Sequence, residues 1–225
     1  MEEIKMKKPA IILFLLLSVG LFLVTGTASA GFTTILPGPE TPLTSFGGIL
    51  DQLYGLGNLQ RVDDNGDSIW FPANGFVTAT AKFADYDQEL GYIPDLNNPG
   101  FSDDFFVPLF TVPGGTNGIG LGGPSATLSS GNVSFLWALD PSGSPLWTSL
   151  PSQNSDGLDH MVTWHIAGTN GKYVIAWEDF EFGGDQDFND LVVEVQISPV
   201  PIPSAILLLG SGLIGLVGLR RKLHK

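Results

Sequence analysis

Cysteine is absent from all 225 residues, which excludes a disulfide framework, thiol catalysis and thiolate metal sites together. Basic residues are nearly absent from the middle of the chain. Between Gly31 and Val200 only Arg61, Lys82 and Lys172 stand against 21 Asp and Glu, a net charge of −18 with histidine neutral. The whole-chain value of −13 conceals this, because the other seven basic residues lie in the end segments. So acidic a body repels nucleic acid and anionic lipid headgroups and favours cations, multivalent ones above all. No Gly-x-Ser-x-Gly elbow is present, so serine-nucleophile chemistry has no local support. His160 and His165 are five apart in a strand-like stretch, a spacing that puts them on opposite faces and suits a shared zinc ion poorly. An internal repeat is also lacking. The tract VPGGTNGIGLGGPS contains Gly118-x-Gly120-x-x-Gly123, but Pro124 and a further strand follow where a dinucleotide site needs a helix, so it reads as a loop.

Both ends read as processing signals. Residues 1–30 join a basic start (Lys5, Lys7, Lys8) to an apolar run from Ala10 to Val24 and a small-residue site, Ala28-Ser29-Ala30. This is the layout of a secretory signal peptide, with Met6 an alternative start. Residues 199–225 hold an uncharged stretch, 202–219, followed at once by Arg220, Arg221 and Lys222. As a helix it would reach about 27 Å, enough to cross a bilayer core, with the basic cluster cytoplasmic. The body, residues 31–198, is long enough for one domain with a real core. Its richness in Phe, Trp, Val and Leu argues against disorder despite the charge.

After a Pro-rich lead, Phe46, Ile49, Leu50 and Leu53 fall on one face of a short helix over 46–54, weakened by Gly47 and Gly48. Everything later reads as strand and turn. Alternation puts Val77, Ala79, Ala81 and Phe83 on one face, then Val133, Phe135, Trp137 and Leu139, then Val162, Trp164 and Ile166. In the last strand Leu191, Val193, Val195 and Ile197 face inward, with Glu194 and Gln196 outward. Residues 105–112 are apolar but contain Pro108, which marks an edge or bulged strand. Six or more short strands between Gly, Asn, Asp and Pro turns predict an all-β fold, a jelly-roll-like antiparallel β-sandwich.

The acidic clusters carry the most chemistry. WEDFEFGGDQDFNDLVVEV, from Trp177 to Val195, holds seven carboxylates and no basic residue. Asp185-x-Asp187-x-Asn189 places oxygen side chains at alternate positions. Asp190 adds another, and Glu178, Asp179 and Glu181 approach from the preceding strand end across Gly183-Gly184. Calcium takes six to eight such oxygens, so these seven residues are the candidate ligands of a structural Ca2+. The spacing imitates an EF-hand only at first: Gln196 stands in place of the bidentate Glu, and strands flank the loop. A second candidate metal set comprises Asp63, Asn65 and Asp67, with Asp156 and Asp159 further on; Asx-rich turns explain the same residues without metal. Paired carboxylates leave a glycoside hydrolase as a further alternative, although acids are too abundant here to single out a pair.

Two resemblances follow from these residues. The tail VPIPSAILLLGSGLIGLVGLRRK resembles the PEP-CTERM sorting signal, with Val-Pro-Ile-Pro (Pro201, Pro203) in place of Val-Pro-Glu-Pro and Arg220-Arg221 closing the helix. This implies export in a Gram-negative bacterium and an inner-membrane intermediate. An exosortase would then cleave near Pro201–Pro203 and release the protein to the cell surface or exopolysaccharide matrix. The body resembles uncharacterised domain family 4114 through FADYDQELGY, NSDGLDHM and WEDFEFGGDQDFNDLVVEV. That resemblance implies an all-β domain on exported, calcium-associated surface proteins. The combined expectation is a non-catalytic, calcium-stabilised matrix component. A calcium-dependent carbohydrate-binding module or adhesin, using Phe182 or Trp177 to stack on sugars, is the alternative.

Overall fold

The computed structural model describes residues 31–71, 73–94 and 105–199; the expected signal peptide, the membrane helix 202–219 and the sorting residues Pro201, Pro203, Arg220 and Arg221 lie outside them. Among the described residues, no helix is long and apolar enough to cross a membrane. Two short helices, α1 (Ile49–Tyr54) and α2 (Asp64–Asp67), accompany strands β1 (Leu59–Arg61), β2 (Ala73–Lys82), β3 (Gln88–Pro94), β4 (Val107–Val112), β5 (Gly118–Ile119) and β6 (Ser125–Ser129). Then come β7 (Phe135–Pro141), β8 (Trp147–Thr148), β9 (Met161–Ile166), β10 (Lys172–Trp177) and β11 (Leu191–Pro199). One sheet runs β1-β9-β10-β11-β2, with β5 and β6 both pairing to β2; the other runs β4-β3-β7-β8. All the pairings are antiparallel. The chain is an all-β antiparallel sandwich.

Alternation along the strands fills the layer between the sheets. Leu191, Val193 and Val195 of β11 meet Phe135, Trp137 and Leu139 of β7, all fully buried. Trp70, Phe135 and Trp137 pack edge-on or tilted at centroid separations of 5.2 to 6.5 Å, the arrangement their ring quadrupoles favour. Val133, expected on the same face, is exposed because β7 begins only at Phe135. Pro108 sits as its missing N–H requires: β4 is a sheet edge, and the β3–β4 register shifts beside it between Leu90 and Gly91.

Strand β2 departs from simple alternation. Val192 pairs with Ala81 and Val193 with Ala79, so Thr80 is an extra residue opposite them. It is held by its hydroxyl donating to Val192 O at 3.0 Å. An extra residue inverts the facing of everything beyond it. Val77 and Ala79 therefore face the inner core, whereas Ala81 joins the outer layer, correcting the single face expected for all three. The same inversion leaves Lys82 fully buried.

The larger sheet is covered on its outer face too. Val162, Trp164, Val174, Ala176 and Val192 pack there against Leu43, Ile49 and Leu50, with Ile35 and Leu53 alongside. Val162 and Trp164 are thus buried as expected, but beneath the N-terminal segment. Helix α1 starts at Ile49, later than expected, because Gly47 takes a left-handed φ of 76°. Phe46 consequently lies outside the helix and is 96% exposed.

The two positions separate cleanly by experiment. Leu50→Ala should lower the stability measured by urea unfolding by about 2–5 kcal/mol, as for other fully buried leucines. Phe46→Ala should change it by less than about 0.5 kcal/mol.

Candidate metal centre

Strands β10 and β11 close on the pair Trp177↔Leu191, so the acidic loop, residues 178–190, springs from one rung of the sheet. It does not run extended. Phe182, Gln186 and Phe188 take φ of 62°, 62° and 56°, and Gly183 and Gly184 are also left-handed. For the non-glycine residues this costs roughly 1–2 kcal/mol each. Burial of Phe188 in the outer layer anchors the curl.

The curl sorts the expected ligands into two groups. Glu178, Asp179 and Asp190 each offer an oxygen within 4.8 Å of the others, and so do Asp185, Asp187 and Glu40. Oxygens about 2.4 Å from one ion lie at most about 4.8 Å apart, so each group has the span of a calcium shell. Glu181 is exposed and belongs to neither group. Asn189 is buried and acts as a brace: its backbone N–H donates to Asp187 Oδ1 at 3.1 Å and its Nδ2 to Asp187 Oδ2 at 2.6 Å.

Two glycines make room for the carboxylates. A Cβ on Gly38 would stand 1.7 Å from Asp187 Oδ2, and one on Gly184 would stand 2.1 Å from Glu178 Oε1. The Pro-rich lead is strapped onto the loop, with Leu36 N–H donating to Gln186 O at 2.8 Å and Asn189 Nδ2 to Thr41 O at 3.3 Å. That strap delivers Glu40, marked in the sequence only as the lone acid of the lead.

Two further residues escaped the sequence reading. Gln88 Nε2 donates to Asp179 Oδ2, and Gln88 Oε1 is buried with no hydrogen-bond partner, an uncharged oxygen of the kind calcium accepts. Lys82, turned inward by the β2 bulge, lies near Asp179 and Asp190 and supplies positive charge that the acidic stretch lacks. Burial pulls its ammonium below the usual lysine range, against the pull of those acids.

One lysine does not balance three carboxyls. Burial, and then the charge of Asp185, push Glu178 up to about 8. Asp179 is raised by burial, and Asp190 is raised well above its ordinary value by burial and by Asp179 and Glu178. Burial, Asp185 and Glu40 push Asp187 up to about 7. Acids this close and this dry hold a proton between them or need a cation.

Behind the site stands a hydrogen-bonded clasp. Trp147 stacks on His160 at 3.8 Å and 4°, and donates from Nε1 to Asp179 O at 2.8 Å. His160 bridges Glu178 O (2.9 Å from Nδ1) and Asp156 Oδ2 (3.0 Å from Nε2). Burial alone would raise Asp156, but N–H groups of Leu158 and Phe182 and the His160 ring hold it below the usual range. Both ring nitrogens of His160 are therefore engaged.

The second candidate set reads structurally as turns. Asp63 caps α2 by accepting from Asn65 N–H at 2.9 Å. Asp156 closes an Asx turn on Leu158 N–H at 2.9 Å, and Asp159 accepts from Thr33 Oγ1 at 2.9 Å and is raised to about 6 by burial. Asp67 is buried apart from both carboxylate groups. Trp177 is fully buried and cannot stack on a sugar, whereas Phe182 is exposed.

Residues 102–198 match a family model described as Domain of unknown function (DUF4114). No curated protein matches the chain. Among solved structures, the C-terminal domain of BC2L-C lectin from Burkholderia cenocepacia aligns at 17% identity and a TM-score of 0.36, covering 63% of this chain and 100% of that one. A Ralstonia solanacearum high-affinity mannose-binding lectin aligns at 18% and 0.36, covering 60% and 97%. The Chromobacterium violaceum lectin CV2L, solved with alpha-methyl-fucoside, aligns at 17% and 0.35, covering 60% and 98%.

The raised carboxyls fix a pH dependence. Glu178 and Asp187 bind protons more tightly folded than unfolded, so their penalty is absent below about pH 4 and grows as pH rises towards 7 to 8. Without divalent metal, the melting temperature should fall between pH 5 and pH 8. Excess calcium should remove part of that fall, as differential scanning calorimetry at several pH values will measure.

Proposed function

We propose that this chain is an exported, non-catalytic surface or exopolysaccharide-matrix protein whose β-sandwich is stapled by calcium. The observation that carries the reading is the convergence of buried Glu178 and Asp179 with half-buried Asp190 within one ion's span, with Lys82 as their neighbouring cation. All the available donors are oxygens, cysteine is absent, and the His160 nitrogens are engaged; such a set suits a hard cation such as calcium over zinc or copper. Glu178, Asp179 and Asp190 would hold one ion with Gln88 beside them, and Glu40, Asp185 and Asp187 would hold another. The ions would neutralise the charge and tie the loop to β3 and to the N-terminal lead.

Removal of calcium provides the test. At a hundredfold excess over Kd, calcium adds about 2.7 kcal/mol; at about 2–4 °C per kcal/mol, the exported protein should melt roughly 5–10 °C lower in chelator. Asp190→Asn and Asp187→Ala should each shrink that difference. A melt indifferent to chelator sinks the staple. The same preparation addresses the calcium-dependent carbohydrate-binding reading, which is favoured by a cavity of about 350 Å³ where Asp179, Asp190 and Glu40 meet Tyr86 and Phe180. That reading requires retention on polysaccharide that chelator abolishes.

The tail supports export and sorting through an exosortase-type enzyme, with a transient stay in the inner membrane. The intact mass of the mature protein should then exclude residues 1–30 and everything from Arg220 onward. A mature species retaining Arg220 and Arg221 would refute tail cleavage.

A further inference from the structure

A second cavity, of about 430 Å³, opens at the inner face of the larger sheet and shares no lining residue with the acidic cavity. Its polar lining is sparse. Asp67 is only 2% exposed, and its Oδ2 has no hydrogen-bond partner; Thr163 Oγ1, on the neighbouring strand β9, is likewise buried without one. Thr163 lies close enough to favour the ionised carboxylate but is not placed to close the bond. Burial dominates and pushes Asp67 up to about 8.

The walls are aromatic. Trp70 and Tyr173 meet edge to face at 5.1 Å and 80°, and Phe71, 80% exposed, stands at the mouth. Trp70 is oriented in advance, because its Nε1 donates to the backbone oxygen of Asp67 at 2.6 Å. The same residue thus contributes the buried carboxyl and fixes the indole beside it.

No cation of the described residues pairs with Asp67. The charge of Arg61 reaches Asp67 only through space, without an ion pair: its Nη2 pairs with Asp64 Oδ1 at 3.1 Å while its guanidinium lies over the rings of Trp164 and Phe32. Lys172 pairs with Glu194 at 2.9 Å, and Lys82 points to Ala84 O. We propose that this cavity is a binding site for a small organic ammonium ion, whose charge pairs with Asp67 while its apolar body packs on Trp70, Tyr173 and Phe71. A buried carboxylate without an ion-pair partner gains from a cation, and aromatic faces attract one. A volume of this size holds a ligand of modest dimensions. A sugar ring fits less well, since its several hydroxyls would meet little beyond Asp67, Thr163 and His165.

Calorimetric titration of the exported protein with benzylammonium, benzyl alcohol and a methyl glycoside tests the assignment. Benzylammonium should bind with a Kd of about 1 mM or tighter, and the neutral isostere at least about tenfold more weakly. Asp67→Asn should weaken benzylammonium by about tenfold or more while leaving benzyl alcohol unchanged. The melt of that variant establishes that it folds. Phe71→Ala, an exposed change at the mouth, should weaken benzylammonium independently. Equal affinity for benzylammonium and benzyl alcohol, no loss in Asp67→Asn, no binding of benzylammonium, or preference for the glycoside would each overturn the proposal. Loss in Asp67→Asn also distinguishes the cavity from diffuse attraction to an acidic surface.

Discussion

Three carboxyl groups, those of buried Glu178 and Asp179 and half-buried Asp190, converge at the end of a β-sandwich with one lysine nearby. Burial disfavours their charge and proximity disfavours it again, so shared protons or a cation between them would stabilise the folded state. Much of the surrounding structure follows from that constraint. The loop turns left-handed at three non-glycine residues to bring the acids inward. Gly38 and Gly184 stand where any side chain would collide with a carboxylate. The Trp147–His160 stack and its hydrogen bonds fix the backbone of Glu178 and Asp179 from behind.

The layers explain why such a loop is held firmly. Its ends leave a sheet that is covered on both faces, by the smaller sheet inside and by the N-terminal segment with α1 outside. Phe188 inserts the loop itself into that outer layer. The N-terminal lead is therefore a wall of the acidic site as well as a cover for apolar surface. Under the proposed calcium reading, ion binding and packing of the lead are one event, coupled through Glu40, Gly38 and the backbone bond from Leu36 to Gln186.

The domain sets a similar electrostatic problem at Asp67, with different surroundings. The acidic cavity beside Asp179 and Asp190 is lined also by Glu40 and Asp85, oxygens that suit the hard ion proposed for it. Around Asp67 the lining is aromatic and aliphatic, which suits a soft-bodied cation. A strongly negative chain with few internal counter-ions leaves both places short of positive charge, and the neighbouring side chains are the ground for proposing a different kind of cation at each.

Alternation of apolar residues was enough to read an antiparallel sandwich from the chain. The inward faces of β7 and β11 and the edge position of Pro108 were equally legible, because those signals are local and repeat every two residues. The acidic stretch was also legible as a place of unusual chemistry. Its division was not. The sequence treated Glu178 to Asp190 as one ligand set, whereas left-handed residues that no spacing reveals part it into two groups and leave Glu181 in solvent. The bulge at Thr80, the inward turn of Lys82, and the arrival of Glu40 and Gln88 depend on contacts between segments far apart in the chain. Composition and periodicity determined that this protein would be a β-sandwich bearing an excess of acid. Tertiary structure alone decided which acids share a site, because convergence of charges is a property of distances in space that sequence spacing does not encode.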